Sequence, residues 1–387
     1  MTVAGRKARP KVTGTLNVFD AALGRVRWLF EEFNGNVAVS VSGGKDSTVV
    51  MELALMVARE RGELPLKVRW LDQEAEFEAT VAYQRSVADR PEIDFEWYQI
   101  PFRLFNAANH QDEWHRVWDK DAPEKWVRDK EPDSIHENLF TDHRGKVIDR
   151  FGALLNRVNG QDPDQAILVG IRVEESPQRR LLCTTKPNYK WVTWGTSKPY
   201  RGEKYHQFYP VYDWRIADVW KAIHDNGWEY NTIYDEQYRY GVPTRNMRVS
   251  SYHHVQALRT LGWLQEVEPE TWERATAMIE GLNTQSQMGA AEELADRLPH
   301  MFRSWEEYMH HLIDNLAIEP NRPAFRKLYQ DTVRKLDGKV SADRVAEEMC
   351  TVVVKNDYFG VSLEGWVMAQ QSKFVKSESL KGRAHNG

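Results

Sequence analysis

The sequence predicts an α/β fold, with a parallel-sheet core followed by a helical region. Over the first half of the chain, short apolar runs rich in β-branched residues alternate with segments of helical periodicity. One of these runs, Val37–Val41, stops at two adjacent glycines just before a helix begins. From about residue 255 onward the pattern is helical to near the end of the chain. These three observations place the sheet first and the helices after it.

Composition limits the function classes. The chain has 387 residues, 41% of them apolar, and a net charge of −5 from 52 basic and 57 acidic residues. That balance gives no global attraction to nucleic acid or to an anionic membrane, so any contact with nucleic acid would have to be local. The sequence contains neither an apolar stretch of about eighteen residues nor a signal-peptide core. We therefore expect a cytoplasmic protein that does not cross a membrane.

The first elements surround a glycine-rich turn. Apolar residues at helical spacing predict a helix over Leu16–Phe33 that packs on the sheet. The strand Val37–Val41 follows, and a second helix runs to about Arg61, where Gly62 closes it. Between the strand and this helix lies a hexapeptide, which we call the glycine loop: Ser42, Gly43, Gly44, Lys45, Asp46 and Ser47.

The glycine loop has the chemistry of an anion site. Its glycines lack the Cβ atoms that would keep an anion away, and Asp46 and Ser47 are placed to satisfy the first N–H groups of the helix. Free amides, the helix dipole and Lys45 then converge on one point. The pattern fits neither the Walker motif nor Gly-x-Gly-x-x-Gly. The alternative is a tight turn that merely contains a lysine.

Two further strands are predicted after the loop helix. The strand Leu66–Leu71 ends in Asp72, Gln73 and Glu74, an acidic cluster on the side where open α/β sheets bind ligands. A helix over Thr80–Ala88 and a strand over Phe95–Ile100 continue the alternation. From Phe105 to about Lys146 the periodicity fails, and a loop of this length is typically functional or disordered.

Arginines follow the next predicted strand, Ala166–Gly170. Arg172, Arg179 and Arg180 indicate an anion site, since arginine contacts phosphate or sulfate through a planar fork. The alternative is a solvated turn in which Glu174 and Glu175 neutralise the arginines. The only cysteines, Cys183 and Cys350, are too few for a disulfide framework or a metal cluster.

The remaining chain is predicted as one more helix of the core, a polar segment and the helical region. The helix covers about Ile216–Asn226, with Asp213 as its cap, and the segment from Tyr230 to Ser250 roofs a site or lies on the surface. The helices predicted after it are Ala257–Leu264, Pro269–Leu282, Ala290–Leu298, Trp305–Ala317, Arg322–Leu336 and Ser341–Cys350. The predicted organisation is a basic arm (1–13), a nucleotide-binding domain (14–254), a helical region (255–370) and a polar tail (371–387).

Several motifs together resemble a known family. They are the glycine loop, Leu71-Asp72, Gly170-Ile171-Arg172 with Glu175-Ser176 and Arg179, and Tyr209-Pro210 with Asp213-Trp214 and Asp218-Val219-Trp220. Their order and spacing are similar to the phosphoadenosine phosphosulfate (PAPS) reductase family of the adenine-nucleotide α-hydrolase (PP-loop) superfamily. The run around Arg172–Arg179 and the segment Met247–Ser250 look most like its group of prophage co-activators, also called immunoglobulin-binding regulator A.

The resemblance implies roles for individual residues. Binding of ATP, or of PAPS, is implied for Ser40, Ser42, Gly43, Gly44, Lys45, Asp46, Ser47, Asp72, Gly170 and Arg172. Catalytic roles fall on Lys45 and Asp46, anion binding on Arg172, Arg179 and Arg248, and Mg²⁺ binding on Asp46 and Asp72. The co-activator group also implies a protein partner, a ParB-like regulator.

Two departures from the family bear on activity. Family reductases have Asp-Thr-Gly at the second strand and a cysteine motif near the C-terminus, whereas this chain has Asp72-Gln73-Glu74 and its last cysteine is Cys350. Because a thiolate attacks sulfur in that reduction, a self-contained reductase is disfavoured. Three functions stay open: cleavage of ATP between its α and β phosphates, sulfonucleotide chemistry with a partner thiol, and a regulatory module whose nucleotide sets its shape.

Overall fold

The structure is a computed structural model of the whole chain. It describes residues 14, 16–109, 114–185, 188–190, 192–200, 203–249, 251–253, 261–283 and 297–371. The predicted basic arm (1–13), nearly all of the predicted tail (371–387) and Ser250 lie outside these residues, as do the first half of the predicted helix Ala257–Leu264 and most of the predicted helix Ala290–Leu298. The predicted domain boundary at residues 254 and 255 falls there too and stays a prediction.

The first half of the chain alternates helices and strands, as predicted. The elements in order are α1 (Val18–Glu32), β1 (Val37–Val41), α2 (Lys45–Arg61), β2 (Leu66–Leu71), α3 (Glu78–Ala88), β3 (Ile93–Tyr98), β4 (Phe102–Phe105), β5 (Trp114–Val117), α4 (Phe151–Asn159) and β6 (Ala166–Val169). The predicted strands β1 and β2 are confirmed to the residue. Gly62 ends α2 in the left-handed conformation, with φ of 70°.

The central sheet is parallel in its middle and antiparallel at one edge. The elements that complete it are α5 (Pro177–Thr185), β7 (Asn188–Tyr189), β8 (Val192–Tyr200), β9 (Glu203–Phe208), α6 (Ile216–Asn226) and α7 (Ile233–Arg239). Within the described residues the strand order is β3-β2-β1-β6-β9-β8-β7. Strands β3, β2, β1, β6 and β9 pair in parallel, whereas β8 pairs antiparallel with both β7 and β9.

Four local features of the structure were either not predicted or predicted wrongly. The antiparallel edge was not predicted, and the aperiodic segment after Phe105 contains β5, which pairs with β4 as a hairpin. Asp213 does not cap α6, because its carboxylate is bound by Arg25, and Arg215 is the N-cap residue. The segment predicted as loop after Tyr230 contains α7.

The helical region follows the sheet. Its described helices are α8 (Leu261–Val267), α9 (Pro269–Met278), α10 (Trp305–Asn315), α11 (Arg322–Leu336), α12 (Ala342–Val354) and α13 (361–371). Helices α10 to α13 share an apolar core of their own that includes Phe325, Met349 and Leu363. This region also contacts the sheet domain, because Phe105 of β4 packs against Tyr358 and Phe359 at ring distances of 5.9 and 5.8 Å.

Packing explains why α1 and α2 lie on the sheet. The buried face of α1 presents Ala22, Val26, Leu29 and Phe30 to the core beneath the sheet. Helix α2 is buried along most of its length, so it is a central element rather than a surface helix. Among the described helices, none is both long and apolar enough to cross a membrane.

Candidate functional site

A cavity of about 730 Å³ opens at the carboxyl end of the parallel strands. That volume lies in the range of small-molecule sites. Four cationic side chains line it, from Lys45, Arg172, Arg179 and Arg248, together with three carboxylates, from Glu174, Glu175 and Glu364. The cavity therefore brings together four of the predicted site residues, and the others lie beside it or apart from it.

The glycine loop forms the base of this region. Gly43 has φ of +70°, and a Cβ atom there would lie 2.7 Å from Cγ2 of Thr80, so only glycine fits this conformation and this contact. Gly44 is the N-cap of α2 and has no side-chain cap. Within the described part of the chain, the backbone N–H groups of Gly43, Gly44 and Asp46 have no acceptor. Unpaired amides at a helix N-terminus are suited to bind an anion.

The side chains of Asp46 and Ser47 do not cap α2 as predicted. The Ser47 hydroxyl donates to the carbonyl oxygen of Gly44 at 2.8 Å, which fixes the orientation of that peptide. It also lies 3.3 Å from the backbone nitrogen of Ser42, which donates to it. The carboxylate of Asp46 is instead bound to Arg172 and Lys45. Ser47 thus shapes the loop, and the helix amides keep their capacity for a ligand.

Lys45 is buried but lines the cavity. Its Nζ lies 3.3 Å from Oδ2 of Asp46 and 5.1 Å from the ring centre of Tyr234. Burial lowers the pKa of the Lys45 ammonium, Asp46 opposes that shift, and the charges of Arg172 and Arg179 add to it. An anion placed among these cations would favour the charged form of the lysine. The site is thus poised for a ligand with negative charge.

Gly170 lies against the start of α2. A Cβ atom there would be 2.5 Å from the backbone nitrogen of Ser47 and 2.7 Å from the carbonyl carbon of Asp46. Strand β6 and helix α2 can approach this closely only because the residue is glycine. The described contacts therefore give Gly170 a packing role, and its predicted nucleotide contact stays a prediction.

Arg172 is held by three carboxylates. Its Nε donates to Asp46 at 2.5 Å, and its terminal nitrogens lie 3.5 Å from Glu174 and 3.3 Å from Glu175. The side chain is only 4% exposed. A buried arginine with this many partners is a structural ion-pair centre, and removing it would leave the Asp46 carboxylate paired with Lys45 alone.

Arg179 is placed differently from Arg172. It lies in the first turn of α5, where the Ser176 hydroxyl accepts from its N–H at 3.2 Å and Pro177 takes the first helical position. Its guanidinium pairs with Glu175, and 41% of the side chain is exposed. Glu175 thus contacts both predicted anion-binding arginines, one with each carboxylate oxygen. Arg179 keeps donors that face the cavity.

Arg248 enters the cavity from the segment after α7. The buried carboxamide of Gln237 holds the backbone of Arg248 from both sides: its nitrogen donates to the Arg248 carbonyl at 2.8 Å, and its oxygen accepts from the Arg248 N–H at 3.1 Å. Met247 and Thr244 line the cavity beside it. The segment after α7 therefore covers the cavity, as one of the two alternatives for it predicted.

Asp72 and Ser40 are not among the cavity residues. The Asp72 carboxylate is fully buried and accepts from Trp97 Nε1 at 2.7 Å, Gln99 Nε2 at 3.0 Å and the backbone of Glu74 at 2.8 Å, and it also pairs with Arg128. Ser40 lies within β1, paired with the neighbouring strands. Their predicted ligand roles stay predictions, and the described contacts are structural.

Four residues that sequence reasoning did not single out lie at the site: Asn231, Tyr234, Val361 and Glu364. The first two contact the glycine loop from a segment nearly 190 residues further along the chain. The last two belong to the first turn of α13. No local sequence pattern marks them, although the Tyr230–Ser250 segment was predicted to roof a site.

Two family models match consecutive segments of this chain. Residues 36–240 match the family model described as phosphoadenosine phosphosulfate reductase domain, and residues 241–336 match a domain of unknown function, DUF3440. The uncharacterized protein YbdN of Escherichia coli strain K12 is 28% identical over 283 residues, which is 71% of this chain and 68% of that protein.

Two solved structures are more distant. The PAPS reductase of Candida auris in a phosphate complex is 14% identical, with a TM-score of 0.35, over 60% of this chain and 89% of that one. The FMN adenylyltransferase of Candida glabrata with FAD and pyrophosphate is 14% identical, with a TM-score of 0.34, over 58% of this chain and 64% of that one. At these scores neither adds an argument about chemistry.

The resemblance first seen in the motifs is confirmed at the level of the family. The match to the co-activator group has no such support and stays a prediction. The reductase-domain model spans more than half of the chain and includes the glycine loop, Gly170, Arg172 and Arg179. This protein belongs to the phosphoadenosine phosphosulfate reductase domain family.

Proposed function

We propose that the protein binds ATP at the glycine loop and cleaves it between the α and β phosphates, with pyrophosphate as the leaving group. One observation carries the proposal: Lys45 lines a cationic cavity large enough for a nucleotide, and the unpaired amides of the glycine loop adjoin Lys45 in the chain. Family membership supports a nucleotide ligand. The adenylyl group then passes to an acceptor or to water.

The loop is suited to stabilise the leaving group. Negative charge builds up on the pyrophosphate as the bond breaks, and fixed donors placed around it lower the barrier. The amides of Gly43, Gly44 and Asp46 supply neutral donors, and Lys45 supplies a charge. Because Asp46 accepts from Arg172, its role in the proposal is to hold Lys45 in place rather than to take a proton.

A second anionic group would bind in the cavity at the arginines that lie outside the glycine loop. Arg179 and Arg248 both line it, and Glu364 of α13 faces the same space. We assign Arg179 and Arg248 to an anionic acceptor or to the distal end of the nucleotide. Arg172 would support this site through Glu175 and would make no ligand contact of its own, because its donors are already directed at carboxylates.

A protein-held Mg²⁺ ion does not fit the described donors. Asp46 and Asp72, the predicted ligands, are each paired with an arginine, and Asp72 also accepts three further hydrogen bonds. No group of three His, Cys, Asp or Glu side chains suited to a metal occurs among the residues described. The proposal therefore includes no step that depends on a metal, and the metal roles of Asp46 and Asp72 stay predictions.

The second candidate is sulfonucleotide chemistry with a thiol from a partner protein. Membership of a family named for PAPS reduction favours it. The two cysteines of the chain are buried, burial raises the pKa of Cys183 to about 11 and that of Cys350 to about 12, and neither lines the cavity. A thiol held protonated in this way is a poor nucleophile. The expected ParB-like partner and the cytoplasmic location stay predictions.

Product analysis tests the proposal. The purified chain is incubated separately with ATP and with PAPS plus dithiothreitol, and phosphorus NMR and a sulfite assay follow the products. AMP and pyrophosphate from ATP support α–β cleavage, and loss of those products in Lys45→Ala ties them to the loop. Sulfite from PAPS would favour the second candidate. Calorimetric titration with ATP separates binding from turnover, and absence of ATP binding would reject both the loop assignment and the cleavage.

A further inference from the structure

The hydroxyl group of Tyr234 lies directly on the glycine loop. The backbone N–H of Lys45, in the first turn of α2, donates to this hydroxyl at 3.2 Å. The same oxygen lies 3.4 Å from the place that a Cβ atom on Gly44 would occupy. It therefore sits where a bound phosphate oxygen would approach the loop amides.

We propose that Tyr234 donates a hydrogen bond to a phosphate group bound in the glycine loop, and that Asn231 positions both the loop and Tyr234 for this contact. The inference rests on the proposed nucleotide site and adds two residues to it. Neither is a residue that the sequence motifs singled out, because both come from the segment that covers the loop.

The donor and acceptor balance at Tyr234 supports a ligand contact. A tyrosine hydroxyl accepts and donates at once. The hydroxyl of Tyr234 accepts from Lys45, and in the described part of the chain no acceptor receives its proton. Burial raises the pKa of this phenol, so the hydroxyl keeps its proton. A phosphate oxygen could accept that proton, and the Tyr234 hydroxyl would then both accept and donate a hydrogen bond.

The ring of Tyr234 is held rigidly enough to aim this donor. It packs edge-on against Trp220, with ring centres 5.3 Å apart, and lies in an apolar cluster with Ile233 and Val249 beside it. Lys45 Nζ lies on the face of the same ring. The hydroxyl direction is therefore fixed by packing before any ligand arrives, which reduces the cost of ordering on binding.

Asn231 links the loop to the helix that contains Tyr234. Its side-chain nitrogen donates to the carbonyl of Gly43 at 3.1 Å and to Thr80 Oγ1 at 2.8 Å, and its side-chain oxygen accepts from the N–H of Ile233 at 3.1 Å, at the start of α7. In a trans peptide the N–H points opposite to the C=O. Holding the Gly43 carbonyl on Asn231 therefore turns the Gly44 N–H away from Asn231 and leaves it free to bind an anion.

The same geometry applies one peptide further along. The Gly44 carbonyl accepts from the Ser47 hydroxyl at 2.8 Å and from the Thr48 N–H at 3.0 Å. The Lys45 N–H consequently points the other way, to Tyr234. Asn231 thus leaves the Gly44 N–H free for a ligand, and Ser47 helps to direct the Lys45 N–H to Tyr234. The Tyr234 hydroxyl then replaces the Lys45 amide as a donor to the ligand.

The opposite reading is that Tyr234 competes with the ligand for the Lys45 amide. The two alternatives predict opposite changes in ligand affinity when the hydroxyl alone is removed. If the hydroxyl is a donor to phosphate, Tyr234→Phe weakens binding. If it blocks the amide, the same change leaves affinity unchanged or raises it.

The test compares Tyr234→Phe with Tyr83→Phe, a matched control. Tyr83 is also buried, and its hydroxyl bonds to α2 at Thr48 Oγ1, 2.8 Å away, without contact to the loop. Affinities for ATP and, by competition, for inorganic pyrophosphate are measured by calorimetry, and circular dichroism checks the folding of each variant. We expect Tyr234→Phe to weaken both ligands about tenfold, the size of one charge-assisted hydrogen bond, and Tyr83→Phe to leave both unchanged.

Each outcome decides a separate question. Equal or tighter ATP binding by folded Tyr234→Phe would overturn the inference while leaving the nucleotide site intact, and so would a loss confined to ATP with pyrophosphate unaffected. Failure of the wild-type chain to bind ATP would overturn the proposed function instead. For Asn231→Ala we expect weaker ATP and pyrophosphate binding from the misaligned Gly44 amide. A folded Asn231→Ala with both affinities unchanged would remove its positioning role.

Discussion

Nε of Arg172 lies 2.5 Å from Oδ1 of Asp46, so the turn after β6 and the glycine loop share one buried ion pair. Arg172 also approaches Glu174 and Glu175, and Glu175 in turn contacts Arg179. Charge at the cavity is thus organised as a connected series from Lys45 through Asp46, Arg172 and Glu175 to Arg179. Every member of this series except Asp46 lines the cavity, and Asp46 joins the glycine loop to Arg172.

The first prediction separates the two arginines. Arg172→Ala should destabilise the fold by about 3 to 5 kcal/mol, because it breaks a buried ion pair and leaves the Asp46 carboxylate paired with Lys45 alone. Arg179→Ala should fold with at most a small loss, since its one ion pair is partly exposed. It should weaken sulfate or PAPS more than AMP. Urea unfolding and competitive binding measure the two effects, and a stable Arg172→Ala that loses only ligand would reverse the assignment.

The second prediction concerns Lys45. Lys45→Ala should weaken ATP binding by about tenfold or more, because a charge-assisted phosphate contact is lost. Lys221→Ala is the control, as its ammonium is exposed on α6 and pairs only with the neighbouring Asp225 among the described contacts. Calorimetry with ATP measures both variants. Equal affinities for Lys45→Ala and the wild type would contradict a phosphate role for the loop.

The third prediction tests the close approach of β6 to α2. Gly170→Ala puts a Cβ atom 2.5 Å from the Ser47 nitrogen, so we expect a loss of at least about 1 to 3 kcal/mol in the free energy of unfolding. Gly24→Ala is the matched control: this glycine is within α1 with open space around it, and the change should stabilise the protein by about 0.5 to 1 kcal/mol. Chemical denaturation of both variants shows whether each change lowers or raises the free energy of unfolding. A neutral Gly170→Ala would mean that the strand and the helix can separate without cost.

The fourth prediction follows from buried carboxyl groups after β2. Burial raises the pKa of Glu74 from 4.5 to about 7 and that of Glu76 well above its ordinary value. A group with a raised folded-state pKa binds more protons in the folded chain, so stability is greatest below the ordinary value and falls as pH rises. For Glu74 the loss spans about pH 4.5 to about pH 7, and for Glu76 it extends higher.

Glu76→Gln isolates the contribution of Glu76 to this pH dependence of stability, since an amide resembles the protonated acid. We expect this variant to lose less stability than the wild type as pH is raised from about 5 to about 8. Glu124→Gln, on an exposed turn, should follow the wild type. Denaturant unfolding at each pH is the measurement. Parallel curves for the wild type and Glu76→Gln would show that the carboxyl group ionises equally in both states.

The sequence predicts the parallel strands well because their apolar runs are local signals. Val37–Val41 and Leu66–Leu71 bury nearly every residue, and their apolar residues identify them although Ser40 interrupts the first strand and Lys67 and Arg69 interrupt the second. Strands β8 and β9 contain Thr, Lys, Gly and Pro among their apolar residues, and they form through pairing with each other at the sheet edge. Such strands depend on tertiary partners, which a single sequence does not show.

The residues of the candidate site are likewise of two kinds: some are marked by local sequence patterns, and others depend on tertiary contacts. The glycine loop and Arg172 lie in short motifs next to strand ends, so the chain order points to them. Asn231, Tyr234 and Glu364 reach the site through folding alone. The carboxylates of the two predicted metal ligands, Asp46 and Asp72, are each engaged by an arginine, and their predicted roles stay predictions. Sequence patterns give residue types and spacing, and they leave open whether a charged group is already neutralised.

The segment that covers the glycine loop spans the junction between the two family matches, and this affects what recombination or truncation at that junction would remove. The two family matches meet at residues 240 and 241, between Tyr234 and Val249, which both contact the loop. A recombination event at that junction would separate the base of the site from part of its cover. A chain ending at residue 240 would keep the loop and Tyr234 but lose Val249, Arg248 and Glu364. The two matched segments are therefore expected to be exchanged or lost together, as halves of one site.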